Sequence, residues 1–380
     1  MKVIPHWDMP SAILYMIMGL CATLSVHYVK KTKAKVIYAI WFLMWTILAS
    51  YRYISDDIGG RDALNYINFF NNCFREDILT KTDEHFEELF QIITKLIRIC
   101  TDDYRIYFLL LYGFIVFSFI LFVNEFTLKT YNFIPLLLSV IVFLKAYNTL
   151  RTSLAIAFIL FGLVLLHKKK KITAVIIIIS SFWIHRTAIL YIAFLPFYYF
   201  TKNKTLKTRY GISLVACSSG LIYVIKGWLL TSGEWLLDKF DTGLLRTYLV
   251  NPPFSRAALL IQMSSFVMMS LLHQDLYHSL ESRRDDTLHM VYRMVFFDFI
   301  MIPVYTTCGI WRAPEYFFLP RLVMWGYLIP YIKKKFTSVS RYFVSVVIAV
   351  IVIGVFIYYL YISWESSALM PYIFERTIKM

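Results

Sequence analysis

Arg52, Arg61, Arg151, Arg186 and Arg312, with Asp62 and His185, are the residues of this chain whose types could do chemistry. A guanidinium presents a planar fork of N–H donors, keeps its charge at any ordinary pH and grips phosphate oxygens two at a time. A carboxylate beside arginines stays ionised and can orient a hydroxyl or take its proton. Histidine titrates near neutrality, which makes His185 a candidate base. Such a set suits a phosphate or diphosphate that must be held while a hydroxyl loses its proton. Each residue also has an ordinary use. The arginines could snorkel to headgroups or pair with Asp56, Asp57 or Glu315. Asp62 could cap a short helix running through Tyr66 and Phe69-Phe70, and His185 could be a satisfied polar residue at a helix end.

The elements that must position these side chains are membrane helices. Hydrophobic residues make up 59% of 380. Apolar stretches of about 20 residues, the length that crosses the hydrocarbon core, alternate with lysine runs. The segments are too long and too evenly apolar for barrel strands. Spans are expected near 11–29, 34–51, 104–123, 131–147, 149–167, 172–185, 187–200, 210–230, 256–273, 289–309, 315–332 and 341–361. That makes about twelve in a single polytopic domain over 1–380. The pair 172–185 and 187–200 reads either as two short helices meeting outside or as one span with a re-entrant piece. Lysine runs at 30–35, 168–171, 202–207 and 333–335 all fall on one side of this threading. Lys and Arg gather on cytoplasmic loops, so that side is inside. The loops at 52–103, 148–151, 231–255 and 310–314 then lie outside, where topology has no use for arginine. The net charge of +15 is explained by the inner loops and anionic headgroups, and nucleic acid is not an expected partner. One lysine precedes the first apolar run, no A-x-A-like site follows it, and the lysine cluster comes after the run instead of before it, which does not fit a signal peptide.

Within the outer loop 52–103, Thr82-Asp83-Glu84 offers a helix start. Phe86, Leu89, Phe90, Ile93, Leu96, Ile97 and Cys100 then recur at helical spacing, with Glu87, Glu88, Thr94, Lys95 and Arg98 largely off that stripe. This predicts an amphipathic helix, lying on the membrane surface or packed against the bundle. Cys73 and Cys100 share the loop and read either as a disulfide or as two thiols. Asp298 and Arg321, on neighbouring spans, are expected to form a buried pair.

These features occur in an order that resembles the EpsG-like group of Wzy-type polysaccharide polymerases. The resemblance rests on Arg52 with Gly60-Arg61-Asp62 and Tyr66, on Asn148-x-x-Arg151 with Ala155, on His185-Arg186-Thr187-Ala188, and on Arg312-x-x-x-Tyr316-Phe317 with a late Pro371-Tyr372. Thr152 departs from the family's usual glutamine. The resemblance implies an all-α, GT-C-like membrane transferase of the bacterial inner membrane with its active site facing outward. The donor would be a growing glycan on undecaprenyl diphosphate and the acceptor a new lipid-linked repeat unit. Arg151, Arg186 and Arg312 would stabilise the diphosphate, with Tyr66 and Tyr316 among the binding residues. Asp62 or His185 would orient or deprotonate the acceptor hydroxyl, and Arg52 and Arg61 would position Asp62 or guide the donor. A separate chain-length co-polymerase is a further implied partner.

No cofactor and no metal are expected, since the outer loops hold no D-x-D-like motif. The alternatives are a flippase for the same lipid-linked sugars, although no internal repeat is visible, an O-antigen ligase, or an acyltransferase-type or structural membrane protein.

Overall fold

The computed structural model describes residues 6–27, 33–55, 58–60, 62–75, 86–127, 143–202, 204, 206–231, 256–276, 282–308, 313–327, 331–332, 341–364, 369–370 and 372–374. Arg61, Arg312, the residues Thr82-Asp83-Glu84, most of the expected span 131–147 and most of the loop 231–255 lie outside them. Among the described residues every regular element is a helix, and a single isolated bridge joins Arg52 and Phe374.

In chain order the helices are α1 (Met9–His27), α2 (Lys33–Ser50), α3 (Ala63–Asn72), α4 (Glu88–Cys100), α5 (Tyr104–Phe126), α6 (Leu150–His167) and α7 (Lys171–Ser180). They continue with α8 (Phe194–Thr201), α9 (Thr208–Thr231), α10 (Arg256–Leu276), α11 (Ser282–Ile300), α12 (Ile302–Cys308), α13 (Phe318–Met324) and α14 (Arg341–Ser363). Among the described residues, Tyr104–Phe126, Leu150–His167, Thr208–Ile225 and Asp286–Thr306 are long and apolar enough to cross a membrane. The protein is therefore an all-helical membrane protein. The expected span 289–309 is not one smooth rod: α11 stops at Ile300 and α12 restarts at Ile302, next to Pro303. Proline has no N–H for the preceding turn, which accounts for the interruption.

The chain forms two compact units, Met1–Ile189 with Trp325–Met380, and Leu190–Met324. In the first, α5 packs on α2 and α6, and α7 runs back along α6. A Cβ at Gly162 would collide with the Ile178 side chain and crowd the Ala174 carbonyl. Glycine there lets α7 lie close against α6, which sets where the chain arrives at His185. The return is short. α7 ends in a 3-10 turn at Ser181–Trp183, His185 is extended, and a second 3-10 turn covers Arg186–Ala188. The break at His185-Arg186 is thus present as the sequence suggested.

Opposite ends of this bundle differ in chemistry. At one end Glu125 accepts from His167 at 2.7 Å and lies 3.9 Å from Lys168, beside the 168–171 lysine run. At the other end lie Glu87, Arg151 and His185. The 18-residue α6 separates them by about 27 Å at 1.5 Å per residue. Cys73 and Cys100 are free thiols, Cys73 buried and Cys100 exposed, so the disulfide alternative is corrected.

In the second unit Asp298 and Arg321 form the expected pair at 3.3 Å, with Gln262 donating to Asp298 at 3.3 Å. Arg293 donates to the Thr201 and Lys202 carbonyls, both at 2.7 Å, and so closes the C-terminal end of α8.

Candidate functional site

The site is assembled on a backbone scaffold centred on Arg52. This residue follows α2 and is 2% exposed. Its Nε donates to the Gly59 carbonyl at 2.6 Å, Nη1 donates to Ala49 O, and Nη2 reaches the Tyr112 hydroxyl at 2.9 Å and Tyr147 O at 3.3 Å. The guanidinium also lies over the Tyr147 ring, 4.4 Å from its centroid. The donors of Arg52 thus face protein groups around the turn that leads to Asp62.

The turn that Arg52 holds requires glycine. Gly59 and Gly60 have φ of +86° and +106°. A Cβ on Gly60 would strike the Tyr147 carbonyl, and one on Gly59 the Tyr53 carbonyl. This close approach lets the Asp62 N–H donate to Asn148 Oδ1 at 3.3 Å, tying the turn to the start of α6. The late Tyr372 joins the same scaffold, donating from its hydroxyl to Leu48 O at 2.9 Å, while Tyr53 N donates to Ile373 O at 2.7 Å.

Asp62 stands at the N-cap position of α3, as expected, yet its carboxylate makes no capping bond. It is half-buried, near Tyr66. The donors of Arg52 go to the Gly59, Ala49 and Tyr147 carbonyls and the Tyr112 hydroxyl, and Arg61 lies outside the described residues.

The densest polar contacts form around Glu87, a residue the sequence reading set aside as an off-stripe helix position. That expectation is corrected. α4 begins at Glu88, and Glu87 precedes it in an extended conformation with its side chain only 7% exposed. The Phe86–Glu87 segment is pinned by aromatic packing: Phe86 lies 4.7 Å from Phe69 and 5.9 Å from Tyr66, centroid to centroid. Gln91 Nε2 donates to the Phe86 carbonyl at 2.6 Å.

From there the Glu87 carboxylate turns away from its own helix. Oε2 accepts from Arg151 Nη1 at 2.7 Å. Oε1 lies 2.9 Å from His185 Nδ1 and accepts from the Arg186 backbone N–H at 3.1 Å. Arg151 also bonds the Tyr66 hydroxyl and lies over the Phe86 ring at 4.6 Å. Tyr66, Arg151, His185 and Arg186 are therefore brought together, with Glu87 as the group that joins them. The Arg186 guanidinium is exposed. His185 Nε2 is shielded from solvent and has no hydrogen-bond partner among the described residues. Tyr316 is buried within the second unit, and Arg312 lies outside the described residues.

Electrostatics support the clamp. Burial alone would raise the Glu87 carboxyl, but the hydrogen bond from His185 and the Arg151 charge outweigh it and hold the group at about 2. A carboxyl depressed in the folded state stabilises the fold fully above its ordinary value and loses that contribution as pH falls toward about 2. The contribution is about 3 kcal/mol. Thermal unfolding in detergent should show the wild type above Glu87→Gln near neutrality, with the gap closing between about pH 5 and about pH 2. A gap independent of pH would refute the assignment. Burial likewise raises the Tyr66 phenol above its ordinary range, against the Arg151 charge.

Among known proteins, no curated sequence and no solved structure matches the chain. The sequence model of the EpsG family matches residues 35–374, a range that takes in most of α2, the Arg52 scaffold, the Glu87 cluster and the Arg52–Phe374 bridge. The chain belongs to the EpsG family.

Proposed function

We propose that this protein is a Wzy-type polymerase of polysaccharide repeat units. It transfers a growing glycan from undecaprenyl diphosphate to the non-reducing sugar of a new lipid-linked repeat unit, on the outer face of the bacterial cytoplasmic membrane. The reading includes a GT-C-like bundle of about twelve spans and, as a further partner, a chain-length co-polymerase.

The observation that carries it is the joining of Arg151, His185 and Arg186 through Glu87 at one end of the bundle, with the 168–171 lysines at the other. Lysine-rich ends face the cytoplasm, so the cluster faces outward, where flipped lipid-linked sugars are found. Exposed Arg186 and the neighbouring Arg151 hold cationic charge where a diphosphate leaving group would gain it, and Arg312 is assigned the same task from the family motif. Preorganised guanidinium groups can supply this without a metal ion, so activity is expected to persist in chelator. Half-buried Asp62, close to Tyr66, is assigned the task of orienting the sugar.

The test is the glycan ladder of cells lacking the gene, together with the sidedness of their lipid-linked intermediates. Loss of long chains, with single repeat units still transferred, supports a polymerase. Accumulation of repeat units on the cytoplasmic face would make the protein a flippase. Full-length chains that stay on the lipid carrier would make it a ligase.

A further inference from the structure

We infer that Glu87 is the positioning residue that makes His185 the proton acceptor of the reaction, with Nε2 as the nitrogen that takes the acceptor hydroxyl's proton. The inference rests on the transferase reading above and adds to it a residue and a specific atom.

An ionised carboxylate only accepts hydrogen bonds. With Glu87 Oε1 2.9 Å from His185 Nδ1, the proton of a neutral imidazole must sit on Nδ1. The lone pair is then on Nε2. That atom is shielded from solvent and lacks a partner among the described residues, an arrangement that is costly unless a ligand completes it. The ring has little freedom to turn. His185 N donates to Ser181 O at 3.0 Å, Ala188 N donates to His185 O at 2.9 Å, and Ile184 and Ala188 on either side are fully buried. The same Glu87 oxygen accepts from Arg186 N at 3.1 Å, and the other from Arg151 at 2.7 Å. One carboxylate thus fixes the base and the cations in a single geometry.

The step balances as a displacement. The acceptor hydroxyl oxygen forms a bond to the donor's anomeric carbon, and its proton passes to His185 Nε2. The bond from the anomeric carbon to the diphosphate oxygen breaks, and its electron pair leaves with the lipid diphosphate. His185 becomes an imidazolium whose Nδ1–H is held by the Glu87 carboxylate, so charge created at the ring is met by a fixed opposite charge. The imidazolium then releases its proton to water.

The experiment uses full-length protein in detergent with synthetic polyprenyl-diphosphate-linked repeat units, comparing wild type with Glu87→Gln. Glutamine keeps the volume and can still accept from Arg151. The expected result is a loss of about 10²–10⁴-fold in kcat with KM little changed, as when a base loses its orienting carboxylate. Ring-¹⁵N histidine spectra, with His185 assigned by the signal missing from His185→Asn, should show Nδ1 protonated and Nε2 bare in the wild type. Glu87→Gln should shift that proton toward Nε2. A folded Glu87→Gln variant with kcat within about threefold of wild type overturns the inference, as does a wild-type His185 protonated on Nε2. If Glu87→Gln fails to fold, the wild-type spectrum decides alone. If wild-type protein extends no lipid-linked glycan, the polymerase reading falls, and the proton position still reports on Glu87.

Discussion

Arg151→Ala should abolish long glycan chains, lowering the rate of polymerisation by about 10³-fold or more while protein remains in the membrane. Two losses combine at this position. A cation that would face the diphosphate in the proposed reaction is removed, and Glu87 loses the 2.7 Å partner that holds one of its oxygens. The carboxylate is then freer to turn, and His185 loses its fixed orientation. Arg151→Lys should recover only part of the activity, because an ammonium cannot present a fork to Glu87 and the Tyr66 hydroxyl together. The double variant with Glu87→Gln should be far less than additive, since both act through one hydrogen-bonded network. The readouts are the glycan ladder and rates on lipid-linked repeat units at matched protein levels. A wild-type ladder from well-expressed Arg151→Ala would remove this end of the bundle as the site.

The second large effect concerns the fold. Arg52→Met should destabilise the protein by about 3–5 kcal/mol, because the Gly59, Ala49 and Tyr147 carbonyls and the Tyr112 hydroxyl would lose a buried donor at once. Methionine fills similar space but donates nothing. The Gly59-Gly60 turn would then lose its anchor, and with it the placement of Asp62 against Asn148. Lower membrane levels and an earlier thermal transition in detergent are the expected signs. Arg52→Lys should rescue little, since one ammonium cannot span acceptors arranged around a planar fork. If Arg52→Met melts like wild type and only activity is lost, Arg52 acts on substrate and the scaffold assignment is wrong.

Much of the architecture was legible because it depends on local composition. Apolar runs of about 20 residues demand helices in lipid, where each backbone group must be satisfied within its own segment. Arg151 was placed at a helix start, and α6 begins at Leu150. The polar pair His185-Arg186 was read as a break in an apolar run, and the helix does end there. The expected Asp298–Arg321 pair forms because two opposite charges on apolar spans have few other ways to be satisfied. The interruption between α11 and α12 was missed, although Pro303 in the apolar run was the available signal.

Glu87 was missed for a different reason. Helical periodicity sorts residues by face, and it set Glu87 off the apolar stripe, where a charged residue is usually solvated. That reasoning presumed a helix running through position 87. The helix starts one residue later, so the side chain is free of the helical face and turns inward. Its partners lie 64 and 98 residues along the chain, and no local pattern encodes a pairing at that separation. Residue types and spacing determined by themselves that this is a helical membrane protein, that lysine runs alternate with its apolar stretches and which short motifs it carries. Tertiary structure alone decided that Arg52 holds a turn, that Gly60 lets that turn touch Tyr147, and that a carboxylate at position 87 gathers Arg151, His185 and Arg186. Membrane insertion responds to the apolar length of each segment taken separately, whereas an ion pair forms only where the packing of α6 against α7 brings distant segments within hydrogen-bond reach.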